Sequence, residues 1–276
     1  MLIFSPCKIN IGLNIIGKRT DGFHDLQSVF YPVPLHDILE IVVNKSKSKN
    51  VKPIEFTTSG LEINGNSTDN IVIKAVELIK ADFKLKPIKI HLHKVIPMGA
   101  GLGGGSANGA KTLQLLNELF ELNISSNKLL KYAAKLGSDC PFFMYNSPCL
   151  VEGRGEKITP IELDLSGKYL TLIYPQLHIN TGVAFSKIIP TNKNINFKNI
   201  NKMEISEWQN IFINDFEKPM CDLFPALNEL ITTLKNTGAE FVSMTGSGST
   251  IYAISSNESD ISHFNKSENF IFQTQL

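Results

Sequence analysis

The sequence predicts an α+β protein made of two packed domains, and three observations carry that prediction. The first half alternates period-two apolar strands with helix-like stretches. A glycine-rich run in the middle is bracketed by a strand and a helix. The last third runs strand, helix, strand, strand, helix, strand, the order of a split β-α-β layer. At 276 residues the chain has room for one large domain or two of ordinary size, and 42% hydrophobic against 19% charged residues gives it a sizeable core.

The elements follow from local pattern. Ile9, Ile11, Leu13 and Ile15 alternate with Lys8, Asn10, Gly12 and Asn14, which is a strand. Further strands are expected over 26–33, 38–43, 54–58 and 88–95. The basic run Lys45-Ser46-Lys47-Ser48-Lys49, with Lys52, is read as a solvated hairpin loop between strands. Asp69 or Asn70 caps a helix reaching Ala81, and Leu113, Leu116, Leu119 and Phe120 mark another helix over 107–122. A third starts at Ser125 or Ser126 and stops at Gly137. The turn-rich Gly153-Arg154-Gly155 marks a boundary, dividing 1–155 from 156–276. Beyond it a strand over 169–174 precedes a helix capped by Asn180 or Thr181. Then come a helix over 226–235, strands over 240–244 and 250–255, a helix near Asp260 and a strand near Phe270. The cleft between the two domains is the default place for a site.

The run Pro97-Met98-Gly99-Ala100-Gly101-Leu102-Gly103-Gly104-Gly105-Ser106-Ala107 carries the most chemistry. Five glycines in the seven positions from Gly99 let a bulky anion lie against the backbone. The helix that follows offers unpaired N–H groups and a partial positive charge, so the run reads as a phosphate cradle. Gly99, Gly101 and Gly104 also match G-x-G-x-x-G, but no acidic residue stands at the end of a following strand, so the dinucleotide reading is demoted. The P-loop pattern fails as well, because Gly105 and Ser106 follow Gly104 where Lys and Ser/Thr are required. Ser106 caps the helix, contacts a phosphate or holds a metal ion.

Other polar residues keep two readings. Lys8 and Asn10 share a strand face and can orient an oxygen-rich ligand, or simply form a polar strand face. Asp139, in Gly137-Ser138-Asp139-Cys140-Pro141, is a rigidly held carboxylate or a turn residue. His91 and His93 share one strand face, where a half-exposed polar surface outweighs a metal pair that has no third ligand. Thr245-Gly246-Ser247-Gly248-Ser249 is a tight hairpin or a second backbone surface closing over a ligand.

Composition excludes several classes. With 27 basic and 26 acidic residues the net charge is +1, which gives no field for wholesale nucleic-acid or membrane binding. No apolar stretch approaches the roughly 20 residues of a transmembrane helix. The start carries Lys8 and Asn10 and lacks the marks of a signal peptide. Four cysteines without C-x-x-C spacing fit reduced thiols in a cytoplasm.

Three separated segments then agree. Pro6 to Leu13, Pro97 to Ala107 and Thr245 to Gly248 resemble, in order and spacing, the signature motifs of the kinases named for galactose, homoserine, mevalonate and phosphomevalonate. Within that superfamily, Lys18 to Ser28, Gly137 to Phe143 and Asn214 to Glu217 bring the chain nearest to members acting on a cytidine-diphosphate-linked methylerythritol. The resemblance implies a two-domain α+β kinase. Its N-terminal domain would be ribosomal-protein-S5-like, with ATP binding and catalysis in 1–155. A ferredoxin-like domain in 156–276 would contribute to the substrate cleft. The implied reaction is ATP-dependent phosphorylation of a C2 hydroxyl in the non-mevalonate route to isoprenoid precursors, with magnesium accompanying ATP. By position Asp139 is the general base and Lys8 its cationic companion, and residues 97–107 hold the triphosphate. The same resemblance assigns Asn10 to the substrate and a cytidine pocket to Phe23, His24, Lys94, Thr181 and Phe185. Two departures stand out: Phe23 where the family commonly has Tyr, and Ala107 where a second serine is frequent. The alternatives are a superfamily kinase for mevalonate or homoserine and, from another class, a nicotinamide-dependent oxidoreductase.

Overall fold

The computed structural model describes residues 1–46, 50–190, 195–264 and 267–276. The chain forms two compact units. One comprises Met1–Cys7, Leu35–Met98 and Gly103–Asn146, the other Lys8–Pro34, Gly99–Leu102 and Ser147–Leu276. Strands β1 (Leu2–Lys18) and β2 (His24–Val43) each contribute to both.

In the first unit β3 (Ile54–Gly60) is followed by helix α1 (Ile71–Asp82) and β4 (Ile88–Lys94). β3 and β4 pair in parallel, as a helical crossover permits, and β4 pairs antiparallel with the far part of β2, Ile38 opposite His93 through Val43 opposite Ile88. The expected hairpin at Lys45–Lys52 is therefore corrected: β4 lies between β2 and β3, and its crossover claims the position a hairpin partner needs. Lys47, Ser48 and Lys49 lie outside the described residues.

Asn70 caps α1 as expected, its side chain accepting from the backbone of Val72, and Val72, Ala75, Val76 and Ile79 form its buried stripe. Helix α2 (Gly104–Leu119) starts three residues before the expected 107. Gly103, left-handed at φ 71°, is its cap, so the last glycines of the run form the first helical turn. Helix α3 (Ser126–Leu136) lies between Ser125 and Gly137, and a short 3-10 turn, Cys140–Met144, packs on α2 and α3.

In the second unit β5 (Cys149–Gly153) pairs with β2 residues 26–30 and with β6 (Lys157–Pro160). The two strands expected over 26–33 and 38–43 are one strand. Pro32 and Pro34 sit between the ladder to β5 and the ladder to β4, where neither partner needs their missing N–H.

A four-stranded antiparallel sheet is built from β7 (Tyr169–Tyr174), β8 (Phe241–Met244), β9 (Ile251–Ser255) and β10 (Phe270–Gln275). Its order is β10-β7-β9-β8, the ferredoxin-like arrangement in which β7 and β8 are parallel but split by β9. Between β7 and β8 run α4 (Thr181–Ser186), α5 (Glu217–Leu223) and α6 (Pro225–Asn236). Leu227, Ile231 and Leu234 of α6 join Ile173, Val242, Ile251 and Phe264 in one core. The helix expected near Asp260 is a correction. Among the described residues there, the Asp260 carboxylate accepts from the Ser262 backbone and closes a turn instead, while Phe264 still reaches the core.

Candidate active site

Lys8 and Asn10 lie in the second unit, on the one strand face where the alternation places them, yet that face is not solvated. Residues 5–15 of β1 are all buried, and Lys8 and Asn10 retain 3% and 1% of their exposure. A lysine so placed must have partners. Its Nζ donates to Asn10 Oδ1 at 2.5 Å and to the Gly101 carbonyl at 2.9 Å, and it lies 4.8 Å from the centre of the Phe30 ring.

Lys8 thus reaches the first glycine segment at Gly101, while Asn10 binds the second. Asn10 Oδ1 also accepts from Thr245 Oγ1 at 3.1 Å and from the Gly246 backbone at 2.9 Å. Its Nδ2 donates to Ser28 Oγ, its backbone N–H to Thr245 Oγ1, and its carbonyl accepts from Tyr252 at 2.7 Å. The Thr245–Ser249 hairpin lies against the glycine run: a Cβ on Gly101 would stand 2.3 Å from the Thr245 carbonyl, and Thr250 donates to Ala100. Asn214, at the start of Asn214-Asp215-Phe216-Glu217, donates to the carbonyls of Met244 and Gly246. Glu217 accepts from Met244 N and Ser243 Oγ, and burial nevertheless pushes its carboxyl above the usual range.

In the first unit Cys140, the residue after Asp139, begins a 3-10 turn packed on α2, and its thiol is buried. Burial pushes that thiol up to about 12, so Cys140 stays protonated and is no nucleophile. Asp139 sits at the cap position of the 3-10 turn without using its side chain as a cap. Asp139 therefore opens a turn packed on a helix whose first N–H groups have no acceptor within it.

The remaining candidates divide. His24 stacks on Phe185, ring centres 4.9 Å apart at 25°, and Phe185 packs edge-on against Phe216. Phe23 is 53% exposed, its ring 4.8 Å from the Arg154 guanidinium. Thr181 is exposed at the start of α4, after the capping Asn180. Lys94, in the first unit, is 2% exposed and forms a buried ion pair with Asp37. His91 and His93 are engaged by hydroxyls, Thr57 and Ser59 at 2.8–2.9 Å, and no group of three metal-ligating side chains occurs among the described residues. Sequence reasoning missed Asp37, Ser28 and Tyr252. For Asp37 the signal was there: with Leu35, Leu39 and Ile41 it falls on the buried phase of β2, where a lone carboxylate demands an explanation.

Residues 70–147 match the GHMP kinases N terminal domain and residues 192–264 the GHMP kinases C terminal family. A 4-diphosphocytidyl-2-C-methyl-D-erythritol kinase of Bacteroides fragilis is 45% identical over the full length of both chains. That of Bacteroides thetaiotaomicron is 44% identical, covering 92% of each. A crystal structure of 4-(cytidine 5'-diphospho)-2C-methyl-D-erythritol kinase superposes with a TM-score of 0.79 at 28% identity, covering 92% of this chain and 90% of that one. Methanococcus jannaschii mevalonate kinase shares the fold at a TM-score of 0.70 and 13% identity, covering 100% and 98%. No helix among the described residues is long and apolar enough to cross a membrane. With both family models matched and 45% identity over the full length, the chain belongs to the GHMP kinases and, within them, to the 4-diphosphocytidyl-2-C-methyl-D-erythritol kinase family.

Proposed function

We propose that this chain transfers the γ-phosphoryl group of ATP to the C2 hydroxyl of 4-diphosphocytidyl-2-C-methyl-D-erythritol, giving the 2-phosphate and ADP. The step belongs to the non-mevalonate route to isoprenoid precursors. The enzyme is an ATP-dependent small-molecule kinase, and ATP is the phosphoryl donor of its family. The observation that carries the mechanism is the packing of the turn that Asp139 opens against α2, the helix that begins within the glycine run.

A tertiary alcohol is a crowded nucleophile, so holding it in line with the γ-phosphorus supplies much of the rate gain. The alcohol oxygen forms the new P–O bond as the bond to the β,γ-bridging oxygen breaks, and the hydroxyl proton passes to Asp139. Lys8 provides positive charge for the transferring group, and backbone N–H groups of residues 97–107 hold the triphosphate. Phe23 and Phe185 stack on the cytosine, His24 reads its polar edge, and Asn10, Thr181 and Lys94 complete substrate binding. Magnesium bound with the triphosphate would neutralise charge on the transferring group.

Asp37 already engages the Lys94 ammonium, so on this reading Lys94 borders the pocket with a neutralised head. None of the four cysteines forms a disulfide, which accords with a cytoplasmic enzyme. Phosphorus NMR of the purified enzyme with ATP and the cytidyl alcohol is expected to show ADP and a new phosphate monoester. Turnover of mevalonate or homoserine without turnover of the cytidyl alcohol would overturn the reading.

A further inference from the structure

We infer that Asp37 is the positioning residue of the triphosphate-binding run, a buried carboxylate that clamps the two ends of residues 97–107 to each other. The inference goes past the proposed reaction and rests on that reading only for the identity of the anion.

Asp37 is fully buried on β2, one position beyond the last β2–β4 pair, Ile38 with His93. There β4 ends and the chain turns into the glycine run. Oδ1 accepts from the backbone N–H groups of Val95 at 2.7 Å and Ile96 at 2.8 Å, the two residues just before Pro97. Oδ2 accepts from Asn108 Nδ2 at 3.0 Å, the residue just after Ala107, and from the Lys94 ammonium. One rigid carboxylate thus binds both flanks of an eleven-residue segment that carries five glycines. Gly104 completes the seat, because a Cβ there would come within 2.8 Å of Ile96 Cγ2 and 3.1 Å of Lys94 Nζ.

The physical need is clear. Glycine-rich backbone loses more conformational entropy on ordering than any other. A cradle made of backbone N–H groups binds tightly only if its ends are already set when the anion arrives. A buried ion pair is by itself weak evidence for stability. Two backbone N–H groups and a helix side chain on the same carboxylate point to geometry as its purpose.

The test uses Asp37→Asn and Asn108→Ala in the full chain. Calorimetry with a non-hydrolysable ATP analogue and with cytidine 5′-diphosphate is paired with amide hydrogen exchange across residues 95–108. The expected result for Asp37→Asn is a tenfold or greater rise in Kd for the ATP analogue, at most a threefold rise for cytidine diphosphate, and faster exchange confined to the run. Asn108→Ala, which removes one donor and keeps the carboxylate, is expected to raise the ATP-analogue Kd about threefold to fivefold, and it answers the question if Asp37→Asn does not fold. An unchanged ATP-analogue Kd in a folded variant overturns the proposal, as does equal weakening of both ligands. If wild type failed to bind the ATP analogue, the kinase reading would fail, while unaltered exchange over 95–108 would still decide against the clamp.

Discussion

Lys8 Nζ lies 2.5 Å from Asn10 Oδ1, and the same Oδ1 takes the backbone N–H of Gly246. A buried ammonium thus bonds the first glycine segment directly, at the Gly101 carbonyl, and is joined to the second through the Asn10 oxygen. Lys8→Met keeps the aliphatic stem and removes the charge. Because Asn10 Oδ1 retains Thr245 and Gly246 as donors, the strand is expected to stay in place while kcat falls about 100-fold or more. Steady-state kinetics with both substrates checks this. A change in ATP KM alone would make Lys8 a binding group.

Asp139 is half-buried at the start of a 3-10 turn whose shape does not depend on its side chain as a cap. Asp139→Asn is expected to lower kcat by about 10²–10⁴-fold with a melting temperature near wild type. Wild-type turnover in the folded variant would falsify its role as base.

Phe23 is 53% exposed and packs only loosely, against Arg154. Phe23→Ala should therefore shift stability by less than about 0.5 kcal/mol. The loss of one base stack is worth on the order of 1–3 kcal/mol, so KM for the cytidyl substrate should rise about tenfold or more while ATP KM stays constant. Equal shifts in both would remove Phe23 from the cytidine pocket.

Gly101 has φ +80°, and a Cβ there would stand 2.3 Å from the Thr245 carbonyl. Gly101→Ala is expected to cost at least about 1–3 kcal/mol by denaturant unfolding. Gly105, with nothing within 4 Å of its Cβ position and a place in the first turn of α2, is the control. Gly105→Ala should leave stability unchanged or raise it by up to about 1 kcal/mol.

Glu217 supplies a pH test. Burial raises its folded-state pKa, so the folded chain holds the proton more tightly than the unfolded one. The stability this contributes is complete below the unfolded carboxyl pKa and is lost as pH rises through the folded value. In Glu217→Gln that dependence is absent. The melting-temperature difference, wild type minus variant, is expected to grow as pH falls from 7 to about 4, and a difference that shrinks instead would reverse the assignment.

The amino-acid order determined a good deal by itself. Period-two alternation located Lys8 and Asn10 on one strand face, Asn70 and Ser125 marked helix starts, and the strand over 169–174 is found as read. The motif order gave the family because those segments carry their chemistry in backbone shape, which glycine placement writes directly into the sequence. Tertiary structure decided what depends on partners distant along the chain. It put β4 rather than β3 beside β2, merged two expected strands across Pro32 and Pro34, and turned a polar strand face into a buried network. It also gave Asp37 its four donors, drawn from residues 57 to 71 positions away. Local propensity concerns a residue and its near neighbours, whereas burial and hydrogen-bond satisfaction are set by whatever the fold brings alongside, and no spacing rule encodes that.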